Sequence, residues 1–245
     1  MGVSVVALRV TTVETTAVKH WSESLAVFDL ETTGIDVTTS RIVSANVGVL
    51  DQDGTVLRRR DWIADPGIEI PAEATAVHGI TTEYARSVGR SARIVVAEIV
   101  DTLREIFDEG TPVVIYNAPY DLSLLFNEAL RHGIPPLSSP MPVIDPLVID
   151  KALDKYRKGK RTLEAAAAFY GVELTDAHDA GADAIAAGRV AQALARVHER
   201  ALDIDALELH TLQTGWCQEQ SDSFQDYIRR TKDATYVASS GWPVR

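Results

Sequence analysis

Asp29 and Glu31 stand two residues apart in VFDLETTG, an apolar run from Val27 to Gly34. Strand side chains alternate faces, so both acids project from the same side. At about 5 Å and an effective dielectric near 20, their repulsion costs on the order of 3 kcal/mol. Withdrawal from water adds to that cost. A cation between them offsets both effects, and an all-oxygen site favours Mg²⁺ or Mn²⁺. The alternative is that the strand ends at Leu30 and Glu31 points into water.

Two further segments carry the same kind of group. Asp121, in NAPYDLSLLF, follows the apolar run PVVIY and falls in the first turn of the next helix. A carboxylate there suits the helix dipole without any other task. It also stands at the carboxyl end of a strand, where open α/β sheets gather ligands. In HDAGAD, helical spacing places Asp183 with Ala187, Val190 and Leu194, towards a core. Asp179 falls with Ala182, Ala186 and Arg189 instead. A core-facing aspartate needs a partner, and His178 lies just before this helix. Together, Asp29, Glu31, Asp121, Asp183 and His178 fit two-metal phosphodiester hydrolysis, with the histidine accepting the proton of the attacking water. His78, in AVHGIT, is the other histidine that could serve a site, or simply close a loop. His132 reads as a neighbour of a helix C-cap, His198 and His210 as solvated helix positions, and His20 as part of a leader.

Positioning these groups takes a sheet with helices on its faces. Ala26 to Leu30 reads as a buried strand, and Arg41 to Leu50 and Thr55 to Ala64 as a hairpin turning at DQDG. A Pro- and Gly-punctuated loop follows. Ser91 to Asp108 is helical, with an expected core face of Ile94, Ala97, Val100 or Asp101, Leu103 or Arg104, and Phe107. Pro112 to Tyr116 and Met141 to Asp145 read as strands. Pro119 to Arg131, Thr162 to Tyr170 and Asp179 to His198 read as helices, the last dense in alanine. The pattern predicts an α/β fold with a mixed five-stranded sheet flanked by helices. Residues 1 to 23 are expected to form a leader and 24 to 200 the functional domain. Residues 201 to 245 are expected to add a helical extension, Ile204 to Arg230, and a tail, YVASSGWPVR. The extension is expected to pack on its own core.

Composition narrows the function. The chain has 245 residues, with 24 Lys+Arg against 35 Asp+Glu, a net charge of −11. That excludes a protein that holds nucleic acid simply by being basic. The single cysteine, Cys217, excludes an intramolecular disulfide and a cysteine-based zinc site. No apolar run approaches the roughly 20 residues of a membrane span. The start lacks a basic leader and cleavage site, so a cytoplasmic location is expected. KALDKYRKGKR, Lys151 to Arg161, holds six basic residues. It is either a solvated face or a hold for the phosphates of an incoming single strand.

VFDLETTG, NAPYD and HDAGAD, in that order and spacing, resemble the three motifs of the DEDDh exonuclease family. Within it they look most like the epsilon proofreading subunit of bacterial DNA polymerase III and its stand-alone relatives. The resemblance spans residues 24 to 200. It implies a ribonuclease H-like fold with two divalent cations, Mg²⁺ or Mn²⁺, held by Asp29, Glu31, Asp121 and Asp183. It also implies His178 as general base and release of 5′-mononucleotides from the 3′ end of single-stranded DNA. Thr32, Thr33, Gly34 and Ile35 would line the terminal nucleotide, and His78 would touch its sugar or base. The family often has Phe where Tyr120 stands, and Pro119 is unusual there. A DNA polymerase is a candidate partner. RNA trimming or oligonucleotide degradation is the alternative within the same chemistry, and a non-catalytic scaffold is the alternative outside it.

Overall fold

A computed structural model describes residues 20–174 and 179–245. The chain begins with β1 (Ser24–Thr32), β2 (Ile42–Asp51) and β3 (Val56–Asp65), then α1 (Ala72–His78), α2 (Thr82–Val88), β4 (Arg90–Ser91) and α3 (Ala92–Asp108). It continues with β5 (Val113–Val114), α4 (Ala118–Arg131), β6 (Val143–Ile144), α5 (Pro146–Leu153) and α6 (Leu163–Tyr170). The last elements are α7 (Ala180–Val197), α8 (Glu199–Leu202) and α9 (Ala206–Thr231). The sheet order is β4-β3-β2-β1-β5-β6, with β1–β2–β3 antiparallel and the outer pairings parallel.

The sheet thus has six strands rather than the expected five, because the two-residue β4 joins its edge beside β3. Two short helices, α1 and α2, occupy the segment expected to be a loop. Each is seven residues long, too short for the apolar period to stand out between Pro66, Pro71, Gly79 and Gly89.

β1 is the spine. Ala26, Phe28 and Leu30 face the core shared with α3 and α4, while Leu25 and Val27 face the core under α7. Asp29 and Glu31 continue that second face. α3 buries Val95, Val96, Ile99, Val100, Leu103 and Ile106, and leaves Ile94 47% exposed. Val100 and Leu103 of the expected face are buried, but Ile94 is not: Val95–Ile99–Leu103–Ile106 is the stripe that meets the sheet.

α7 explains its own alanine content. A Cβ at Gly188 would stand 2.5 Å from Val27 and 2.6 Å from Leu50, so the helix backbone lies close against β1 and β2 there. Glycine inside a helix costs roughly 0.5–1 kcal/mol relative to alanine. The close approach lets a side chain as short as Asp183 reach the strand.

The C-terminal extension is bonded to the sheet. β6 is an edge strand, and α9 satisfies its open side: His210 Nδ1 accepts from Val143 N–H at 3.0 Å and Gln213 Nε2 donates to Val143 O at 3.0 Å. Side chains here close an edge that would otherwise template another strand. His210 is consequently 9% exposed, not solvated as its helical position implied. The final residues are not a free tail either. Trp242 is 8% exposed with its ring tilted against that of His210 at 4.7 Å between centroids, and Arg245 N–H donates to Ser123 Oγ at 2.8 Å. Within the expected leader, residues 1–19 lie outside the described residues, but Trp21 is buried and donates from Nε1 to Leu202 O at 3.0 Å. Among the described residues no helix is long and apolar enough to cross a membrane.

Candidate metal centre

β1 brings Asp29 and Glu31 to its carboxyl end on the α7 side, and the first turn of α7 delivers Asp183 onto them. Each of the three half-buried acids offers an oxygen, and these oxygens lie within 4.8 Å of one another. Asp121 stands on the other flank of β1, in the first turn of α4, where its Oδ1 accepts from Leu30 N–H at 3.1 Å. That bond locks the Asp121 side chain to the strand between the two acids.

A buried carboxylate orders the start of α4. Asp145, withdrawn from water, accepts from Asn117 N–H and Ala118 N–H, and from Leu147 N–H at the start of α5, each at 3.0 Å. Asn117 takes a left-handed conformation, φ 65°, to turn from β5 into α4. One aspartate therefore caps two helices and sets where Asp121 emerges. The sequence carried a signal for this, an Asp directly before Pro146 at the end of a strand, yet Asp145 reads there only as a strand residue.

Burial and like charge together hold protons on the cluster. Burial raises the Asp29 carboxyl well above the usual range, and the charges of Asp121, Glu31 and Asp183 push it further. Glu31 is pushed up to about 8 by burial and then by Asp183 and Asp179. Asp121 is raised by burial despite its backbone hydrogen bonds. Converging hard oxygen ligands with no cationic cause among these shifts fit a divalent cation.

Beyond Glu31 the chain turns sharply. Tyr120 O–H donates to Gly34 O at 2.7 Å and meets Thr32 Oγ1, while Thr33 Oγ1 accepts from Arg41 N–H at 2.9 Å. Thr32 and Thr33 are buried and build the turn, and Ile35 stands at its tip, 92% exposed. Tyr120 thus uses the hydroxyl that a Phe would lack. His78 is the last residue of α1, and its Nδ1 accepts from Ile80 N–H at 3.1 Å. His178 lies outside the described residues. Asp179 is the N-cap of α7, its Oδ1 accepting from Ala182 N–H at 3.0 Å.

The basic run does not offer six cations to a ligand. Arg157 and Arg161 turn inward onto Asp150, at 2.5 and 2.7 Å. Lys151, Lys155, Lys158 and Lys160 stay exposed.

The model of the exonuclease family RNase_T matches residues 26–191. A DNA polymerase III PolC-type of Lacticaseibacillus paracasei is 30% identical over 173 residues, which is 71% of this chain and 11% of that protein. One of Streptococcus thermophilus is 30% identical over 167 residues, 67% of this chain and 10% of the relative. The chain therefore spans about a tenth of the length of these relatives. Among solved structures, the zinc-bound complex of Escherichia coli exonuclease I with single-stranded DNA aligns with a TM-score of 0.64 at 22% identity, covering 74% of this chain and 42% of that one. At that identity the likeness shows the fold alone.

Proposed function

Because the chain belongs to the RNase_T exonuclease family, we propose that its carboxylate cluster removes 5′-mononucleotides from the 3′ end of single-stranded DNA. The observation that carries this reading is the convergence of Asp29, Glu31 and Asp183 oxygens within 4.8 Å at the end of β1. With Asp121 beside them, these acids would hold two divalent cations, Mg²⁺ or Mn²⁺. Such cations lower the pKa of a water and stabilise charge on the leaving oxygen.

The chain's own groups do the rest. His178, next in sequence to the α7 cap, accepts the proton of the attacking water at a ring nitrogen. The turn from Thr32 to Ile35, braced by Tyr120, presents an apolar side chain to the terminal base, and His78 contacts the terminal sugar or base. The names of the PolC-type relatives support a role in DNA replication or repair beside a DNA polymerase.

The test is degradation of end-labelled oligonucleotides by purified protein with Mg²⁺ or Mn²⁺. Single-stranded DNA should shorten from its 3′ end, a bulky 3′ block should stop it, and EDTA should abolish it. Degradation from the 5′ end, or full activity in excess EDTA, overturns the proposal. Faster trimming of RNA than of DNA overturns its substrate.

A further inference from the structure

On the sheet face that carries Asp29, polar side chains continue across two more strands. The register pairs Asp29 with Asn46 on β2 and Asn46 with Asp61 on β3, so the three form one row on the α7 side. Asn46 is fully buried, and its Nδ2 donates to Asp61 Oδ1 at 2.8 Å. Arg59, two residues earlier on β3, points the same way. Its Nε donates to both Asp61 oxygens, at 2.9 and 2.7 Å.

With the near side of the guanidinium tied to Asp61, its far end reaches α7. Arg59 Nη2 lies 3.6 Å from Asp179 Oδ1, on the residue that caps the helix. A Cβ at Gly181 would stand 2.1 Å from that same Nη2 and 2.4 Å from Cζ, so the guanidinium rests in the space this glycine leaves. One turn on, Asp183 N–H donates to Asp179 O at 2.9 Å. Hydrogen bonds and an ion pair thus join Asn46, Asp61, Arg59 and the cap of α7, while strand register sets Asn46 beside Asp29 and the first turn of α7 carries Asp183 to within 4.8 Å of it.

We propose that Arg59 is a positioning residue that latches the first turn of α7 to β3 and thereby holds Asp183 at ligand distance from Asp29 and Glu31. The consequence for turnover rests on the exonuclease reading; the latch itself rests on this geometry. The ion pair is half-exposed and such pairs add little stability, so the latch acts through placement. A displacement near 1 Å in a reacting site costs about 10²-fold in rate.

The experiment compares wild type, Arg59→Ala, Arg59→Lys, Gly181→Ala and the Arg59→Ala/Gly181→Ala double variant. Arg59→Ala should lower kcat roughly 10–100-fold with little change in KM. It should also weaken Mn²⁺ binding several-fold by calorimetry and speed hydrogen exchange at the Ala182 and Asp183 amides, while Tm hardly moves. Arg59→Lys should rescue little, because one ammonium cannot bridge Asp61 and Asp179 as a fork does. Gly181→Ala should reproduce Arg59→Ala by displacing the guanidinium. In the Arg59→Ala background the same substitution should be harmless, since alanine suits a helix better than glycine.

Unchanged Mn²⁺ affinity and unchanged exchange in Arg59→Ala overturn the latch, whatever activity does. A rise in KM alone, with Mn²⁺ binding intact, overturns it in favour of direct contact with a substrate phosphate. A wild type that cleaves nothing, alongside weakened Mn²⁺ binding and faster exchange in Arg59→Ala, overturns the exonuclease reading and leaves the latch standing.

Discussion

Asp150 on α5 and Asp29 on β1 are both carboxylates withdrawn from bulk water, and the chain answers their charge in opposite ways. Around Asp150 it supplies Arg157, Arg161 and the Tyr170 hydroxyl, the last at 2.7 Å. Burial alone would raise the Asp150 carboxyl, but hydrogen bonds from Arg157, Tyr170 and Arg161 outweigh it and hold it below its ordinary value. Around Asp29 it supplies Asp121, Glu31 and Asp183, all of which raise it. The first centre is complete within the chain. The second gathers charge of one sign, the arrangement that the proposed cation binding would relieve, whereas the first needs nothing further.

Substitutions at the two centres should fail differently. The largest effect belongs to Asp183→Asn, which keeps shape and removes a charge that the proposed cations would need. Turnover should drop by several orders of magnitude while metal-free stability is kept or raised, because repulsion at the cluster falls. A destabilised Asp183→Asn with normal turnover at saturating Mn²⁺ would erase the contrast. Next comes His178→Ala, for which kcat should fall roughly 10²–10⁴-fold with Mn²⁺ affinity nearly intact. Loss of Mn²⁺ binding instead would make His178 a ligand rather than a base.

Asp150→Ala should do the reverse of Asp183→Asn. Arg157 and Arg161 side chains are only 6% and 14% exposed, and stranding buried charges costs about 3–5 kcal/mol. Chemical denaturation should show that loss, with the metal centre still binding Mn²⁺.

The two centres also respond to pH with opposite sign. Glu31 ionises near 8 in the folded chain against an ordinary 4.5, so between those values the folded state keeps a proton the unfolded state has released. Metal-free stability from this group is full below about 4.5 and is lost as pH rises through about 8. Asp150 is lowered, so its contribution is present above the ordinary carboxylate value and lost as pH falls through its folded value. Protons would compete with the proposed cations for the cluster, so the rise in Tm with Mn²⁺ should grow over Glu31's interval. A Tm shift independent of pH between 5 and 8 would count against cation binding at Glu31.

The smallest effect is expected at Asp179→Asn. Asparagine caps a helix about as well as aspartate, and the lost charge is worth about 0.3–1 kcal/mol at a helix start. Asparagine also keeps an Oδ1 facing Arg59 Nη2, so the latch is weakened rather than lost and activity should fall far less than in Arg59→Ala. An Asp179→Asn variant as inactive as Asp183→Asn would mean that the wrong acid of HDAGAD faces the site.

How far these centres could be read in advance depended on how local their signals are. Two-residue alternation in VFDLETTG was enough to put Asp29 and Glu31 on one side of β1, and helical spacing was enough to group Asp183 with the buried Ala187, Val190 and Leu194. Asp179, by contrast, is the extended cap before α7, and its charge still bears on Glu31. Apolar runs located β1, β2 and β3, and alanine density located α7. All of this is short-range: it depends on backbone periods that a few residues declare by themselves. On α3 the same spacing reaches Val100 and Leu103 but not the whole face, because several apolar residues compete for the core and only the sheet selects Val95 over Ile94.

Everything joining distant segments was decided by tertiary structure. Nothing within KALDKYRKGKR says that Arg157 and Arg161 turn inward, because Asp150 precedes the run and must be buried before it draws them. His210 and Gln213 look like ordinary helix positions until β6 turns out to be an open edge in need of partners. Arg59 and Asp61 could be paired by alternation, but their bearing on α7 required the register of three strands and the gap at Gly181. The sequence by itself determined which residues could ligate, cap or pack, since side-chain chemistry and backbone period are local. Which of them share a site was decided by sheet register and helix docking, since those minimise free energy over the whole chain.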